Sequence, residues 1–130
     1  MQHILPEGWV RPKGYSNGII AEGKIFFLAG VIGWNEKEEF ESDKLLDQFR
    51  QALLNIRAIL EAGGSGPEDI TRMTWYVTDM NGYRNQLSEF GAVYKEIIGK
   101  NFPVMACIGV SALVEPQAKI EIEVTAVLKQ

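Results

Sequence analysis

The chain predicts an α+β fold: a mixed sheet with two helices laid on one of its faces. Three observations carry this. Leu46, Phe49, Leu53, Ile56 and Leu60 recur at steps of three and four, as do Tyr83, Leu87, Phe90, Tyr94 and Ile97. Each set forms one apolar stripe on a helix. Between and around these helices lie runs rich in β-branched and aromatic residues, giving the order strand, strand, helix, strand, helix, strand, strand. Two helices with one apolar face each are best buried on one side of a single sheet. The 130 residues are one domain's worth, so a single domain is expected over residues 1–130.

Taken in order, residues 1–17 show no hydrophobic period and are interrupted by Pro6, Gly8, Pro12 and Gly14, which predicts an irregular arm. Gly18 to Ala21 and Lys24 to Gly30 read as two strands around the turn-compatible pair Glu22-Gly23, a hairpin signal. An acidic loop runs from Asn35 to Glu41, and Ser42 and Asp43 are candidate caps for the first helix. Gly63-Gly64 ends that helix, since glycine tolerates the backbone a helix C-terminus needs. Ile70 to Thr78 alternates, with Met73, Trp75 and Val77 opposite Thr74, Tyr76 and Thr78. Asn81-Gly82 breaks it before the second helix. Met105 to Leu113 and Lys119 to Leu128 are the last strands, joined through a turn at Glu115-Pro116-Gln117. The sheet face away from the helices carries Trp75 or Tyr76 with several Val and Thr, and an apolar face of that kind invites a partner subunit.

Composition narrows the function. The formal net charge is -4 and no basic run is present, which argues against a nucleic-acid partner. The chain holds one cysteine, Cys107, and one histidine, His3, too few for a zinc site or a disulfide framework. No metal or cofactor is expected. No apolar run approaches the ~20 residues that span a bilayer, and the first residues lack the basic-then-apolar pattern of a signal peptide, so a cytoplasmic protein with no membrane partner is expected.

Few residues suggest chemistry by themselves. Glu121 and Glu123 are two apart on a strand and so share a face with Thr125 and Val127. A carboxylate pair there suits acid–base work, and equally a solvated or salt-bridged strand face, which the spacing alone favours. Cys107 sits in an apolar strand with no histidine near it in sequence, the setting of a small buried hydrophobe rather than a nucleophile. Gly14-Tyr15-Ser16-Asn17-Gly18 is flanked by glycines but lacks the ending of a phosphate-binding loop and reads as a turn. Trp9, Trp34 and Trp75 are taken as packing residues.

The last third is more specific. Phe102-Pro103-Val104-Met105-Ala106-Cys107-Ile108-Gly109-Val110, then Ala112-Leu113, then Lys119-Ile120-Glu121-Ile122-Glu123 resembles the signature of the Rid (YjgF-like, reactive-intermediate deaminase) family. Tyr15, Ala29-Gly30, Leu54-Asn55-Ile56 with Ala62-Gly63-Gly64, and Val77-Thr78-Asp79 extend the resemblance over nearly the whole chain. It implies a chorismate-mutase-like fold, a homotrimer, and small-molecule clefts between subunits that hydrolyse enamines and imines to ketoacids and ammonia. In that family an arginine binds the substrate carboxylate in a bidentate pair, and a glutamate on the last strand positions water. Carried over by position, Glu121 takes the glutamate's role, and Tyr15, Gly30 and Cys107 line the pocket. Two positions depart: Met105 stands in the arginine's place and Ala29 in that of a serine. Methionine makes the spot apolar and adaptable, which shifts the expected ligand toward a less charged or more aromatic one. The resemblance leaves two rivals: a non-catalytic ligand-binding trimer, which Met105 favours, and an endoribonuclease, which the acidic balance disfavours.

Overall fold

In the computed structural model, which describes residues 1–129, the strands are β1 (Gln2–Ile4), β2 (Gly18–Ile20), β3 (Lys24–Phe27), β4 (Val31–Ile32), β5 (Ile70–Val77), β6 (Val104–Gly109) and β7 (Ile120–Leu128). The helices are α1 (Leu45–Ala62), the short α2 (Met80–Arg84) and α3 (Leu87–Ile97), with a 3-10 turn at Pro67–Asp69. Five strands form one sheet in the order β3-β7-β5-β6, with β4 also on β7; β1 and β2 form a separate two-stranded sheet. β5 runs antiparallel to β7 and parallel to β6, so the sheet is mixed. The nine-residue β7 is the frame: its later half holds β3 and its earlier half holds β4.

The alternation of β5 and β7 decides the layers. Met73, Trp75 and Val77 project to one side with Ile120, Ile122, Val124 and Ala126, and all are buried. Onto them pack Phe49, Leu53, Ile56 and Leu60 of α1 and Phe90, Val93, Tyr94 and Ile97 of α3. Burying each large apolar side chain there stabilises by roughly 1.5–3 kcal/mol. One polar residue enters this layer without loss. Gln48, 1% exposed, donates Nε2 to the carbonyls of Ser42 and Gln117, while its Oε1 accepts from Lys119 N–H. It thereby ties α1 to the start of β7. Asn55 does the same for β4, donating Nδ2 to the carbonyls of Ile32 and Trp34.

The fold class and the first amphipathic helix match the sequence expectation; the expected second helix is split, Tyr83 falling on α2 and Phe90, Tyr94 and Ile97 on α3 with Leu87 55% exposed, and the details differ in four further places. The first residues are no irregular arm: Gln2, His3 and Ile4 pair with Ile20, Ile19 and Gly18. The expected hairpin is absent, because β2 pairs with β1 while β3 pairs with β7. Gly23 marks where the chain leaves one sheet for the other; at φ 145 it passes so close to Leu128 that a Cβ would lie 2.0 Å from that carbonyl oxygen. A turn-compatible glycine served a crossing between sheets, which residue type alone does not distinguish from a hairpin. Neither Ser42 nor Asp43 caps α1. Ser42 Oγ accepts from Lys44 N–H and donates to Asp47, and the chain is still extended at Lys44. The hydroxyl is spent on the turn before the helix. Finally, Asn81-Gly82 does not break the chain but lies inside α2, capped by Asp79 accepting from Gly82 N–H.

Tyr76, not Trp75, lies on the sheet's other face. That face carries Arg72, Thr74, Tyr76, Ala106, Ile108, Glu121, Glu123, Thr125 and Val127, with Ile25 and Phe27 of β3 alongside. Much of it lies open: Phe27 is 73% and Ile25 60% exposed. Among the described residues no helix is long and apolar enough to cross a membrane, and no cluster of His, Cys, Asp and Glu could hold a metal ion.

Candidate functional site

The residues singled out in the sequence fall into two groups on opposite faces of the sheet. Glu121 is in register with Tyr76 and with Ile32 of β4, on the open face. Because β4 follows β3 after three residues, the connection carries Ala29-Gly30 directly over the Glu121 side chain. A Cβ at position 30 would lie 2.3 Å from Glu121 Oε2. Glycine there leaves the carboxylate its space, and a side chain would have to push the flexible end of Glu121 aside. Ala29, Gly30, Trp34, Asn55 and Glu121 line a recess of about 390 Å³. Glu121 is half-buried in it. Glu123, two residues on, is exposed, and Tyr76 Oη reaches its Oε1 at 3.4 Å. The two glutamates that share a face thus differ in surroundings.

Met105 and Cys107 belong to the other side. They are in register with Met73 and Trp75 and pack against the core. Met105 reaches a cavity of about 680 Å³ between β6, α3 and the segment before β2, and Tyr15 lines the same cavity. Tyr15 is brought there by its neighbour. Ser16 N–H donates to the Pro103 carbonyl, and Ser16 Oγ donates to the Phe102 carbonyl at 2.6 Å. His3 Nδ1 meets the same Oγ at 2.7 Å. With the hydroxyl proton committed to Phe102, the histidine must donate, so this pair is a clamp and not a nucleophile with its base.

Cys107 lines neither recess. Burial pushes its thiol up from the ordinary value, which keeps it protonated at neutral pH and unsuited to nucleophilic attack. A single chain therefore brings Tyr15 to Met105, and Ala29 and Gly30 to Glu121, and it does not bring Glu121 to Met105 or Cys107.

Sequence reasoning passed over the aromatic wall of the larger cavity. Trp75, Tyr83, Phe90, Tyr94 and Phe102 line it. The Trp75 and Phe49 rings lie tilted at 56° with centroids 4.8 Å apart, and Tyr83 meets Phe90 edge-to-face at 5.0 Å. Burial raises the hydroxyls of Tyr94 and Tyr83 above the usual tyrosine range, so both stay neutral donors. The helical spacing of Tyr83, Phe90 and Tyr94 signals an apolar stripe; that one edge of the stripe borders a cavity has no counterpart in the spacing.

The geometry finds its match among known proteins. The family model described as Endoribonuclease L-PSP matches residues 10–128. A crystal structure of a Yersinia pestis protein of unknown function from the conserved Rid family superposes with a TM-score of 0.85 at 31% identity, covering 98% of each chain. The chain belongs to the Rid family. Another Rid-type relative, a RutC family protein of Pyrococcus horikoshii, is 36% identical over 124 residues, 95% of this chain and 94% of the relative. The 2-iminobutanoate/2-iminopropanoate deaminase of Escherichia coli is 33% identical over 105 residues, 81% of this chain and 80% of the relative. The Rid fold thus accounts for nearly the whole chain.

Proposed function

We propose that this Rid protein is a homotrimer whose clefts between subunits bind a small organic ligand and hydrolyse its C=N bond. One observation carries the reading: Tyr15 and Met105 line one recess, Glu121 lines another that reaches round the sheet edge to Asn55 of α1, and Phe27 and Ile25 stand exposed on the sheet face that bears Glu121. A second copy seated on that face would cover Phe27 and Ile25 and bring its Tyr15 and Met105 side toward Glu121 of the first. Closed cyclic symmetry allows each copy to give one recess and receive the other. Relatives named as 2-iminobutanoate/2-iminopropanoate deaminases supply the reaction class.

In the proposed chemistry, Glu121 takes a proton from a water whose oxygen forms a bond to the imine carbon. That proton passes to the nitrogen, giving a carbinolamine; its hydroxyl proton is then carried to the nitrogen by the same carboxylate as the C–N bond breaks and the C=O bond forms, so that imine and water leave as a carbonyl compound and ammonia. Gly30 keeps the carboxylate's approach open. Neither Cys107 nor a metal has a part in this sequence of steps. The rival reading, a trimer that binds without turnover, is favoured by Met105, which cannot pair with a substrate carboxylate. Ammonia release from freshly generated 2-iminopropionate, measured beside Glu121→Gln, separates them. Turnover that the near-isosteric amide abolishes supports hydrolysis; no release from either protein with this or a larger 2-imino acid leaves the binding reading.

A further inference from the structure

Resting on that interface reading, we infer that the ligand is an aromatic 2-imino acid, its ring lodged in the larger cavity and its carboxylate held at the mouth by lysines. The interior is built for a flat apolar body. Trp75, Tyr83, Phe90, Tyr94, Phe102 and Met105 line it, and aromatic walls favour a ring in stacked or edge-on contact. At about 680 Å³ it is within the range of cavities that enclose an organic ligand much larger than pyruvate. Met105 makes the site of the missing arginine part of this apolar lining, and a thioether contacts an aromatic ring favourably.

The positive charge has a different address. Lys13, Lys95 and Lys100 line the same cavity and are exposed, which places them at its mouth. The ion pairs of the described residues are Arg50–Glu96 and Arg57–Glu61, so none of these lysines is held by a carboxylate of the chain. Three cations from three segments, around a cavity with no carboxylate in its lining, make its entrance selective for an anion.

Isothermal titration of the wild-type protein with phenylpyruvate, pyruvate and 2-phenylethanol tests this, the first being the ketoacid product of the aromatic substrate. Phenylpyruvate is expected to bind at least about tenfold more tightly than pyruvate, the gain of burying a phenyl ring. Replacing Lys13, Lys95 and Lys100 together by Gln should weaken phenylpyruvate about three- to tenfold, with a loss that added salt mimics in the wild type, and leave 2-phenylethanol unchanged. Equal affinity for pyruvate and phenylpyruvate would overturn the aromatic assignment and leave the interface reading standing, as would equal losses of acid and alcohol in the lysine variant. Binding of neither acid by a protein that still assembles would overturn both.

Discussion

On one side the central sheet is closed by its own chain: Met73, Ile120 and Ile122 are fully buried beneath α1 and α3, with Trp75 at 4% exposure. On the other, Phe27, Ile25 and Ile108 stand 73%, 60% and 43% exposed around Glu121 and Tyr76. The first side shows what this chain needs in order to fold. The second carries exposed apolar surface of the kind that marks interfaces, and it is the surface the proposed trimer would cover. Packing of the single chain and the proposed assembly therefore draw on different faces, and substitutions should separate them.

The largest effect belongs to the closed side. Phe49 is fully buried between Trp75 and Phe90, so Phe49→Ala should cost about 3–5 kcal/mol in a urea denaturation, through lost transfer energy and the cavity left behind. Phe27→Ser on the open side should change the stability of the isolated chain by no more than about 0.5 kcal/mol and yet lower the mass in sedimentation. If both variants lose stability equally, the two faces are not the distinct layers described.

Next come the two recesses. Met105→Arg restores a charge-assisted partner for a small carboxylate, and 2-iminopropionate turnover should rise by roughly 1.5–3 kcal/mol of transition-state stabilisation, measured as kcat/KM. Strong wild-type activity on that substrate, with no gain in the variant, would show that the methionine is no handicap. Gly30→Ala drives a methyl into the Glu121 carboxylate. It should displace the glutamate at a cost of no more than about 0.5–1 kcal/mol in stability, reducing kcat more than the stability loss explains.

The smallest effect is a pH dependence. Burial raises the Cys107 thiol above its ordinary value of 9.0, so the unfolded chain ionises first as pH rises. The stabilisation is complete below the unfolded thiol's pKa and declines as pH climbs past it, because there the unfolded state binds fewer protons than the native one. Tyr83 and Tyr94, also raised by burial, act in the same direction at higher pH. Denaturation midpoints should fall between pH 8 and pH 10.5, and fall less in Cys107→Val.

What the sequence made legible follows from what side-chain patterns encode. The stripes of α1 and α3 and the alternation of β5 and β7 were readable because burial on one face imposes a period. Strand partners were not: Gly18 to Ala21 and Lys24 to Gly30 look like a hairpin, yet the three residues of β2 find β1 while β3 runs along the longer β7. Glu121, Gly30, Tyr15 and Met105 were marked by family resemblance rather than by spacing. Their separation onto two faces emerges only from the register of β5 with β6 and β7. Trp75 read as a core residue and is one, and its unpaired indole nitrogen becomes visible only once every neighbour is placed.

Sedimentation equilibrium at micromolar concentration tests most directly the claim that the site is completed between copies. The predicted result is a single species of three times the chain's 14.5 kDa, reduced by Phe27→Ser together with ligand binding. A wild-type protein that sediments at 14.5 kDa while binding its ligand in full would contradict the account, because Glu121 and Met105 would then have to serve one ligand from opposite faces of one sheet.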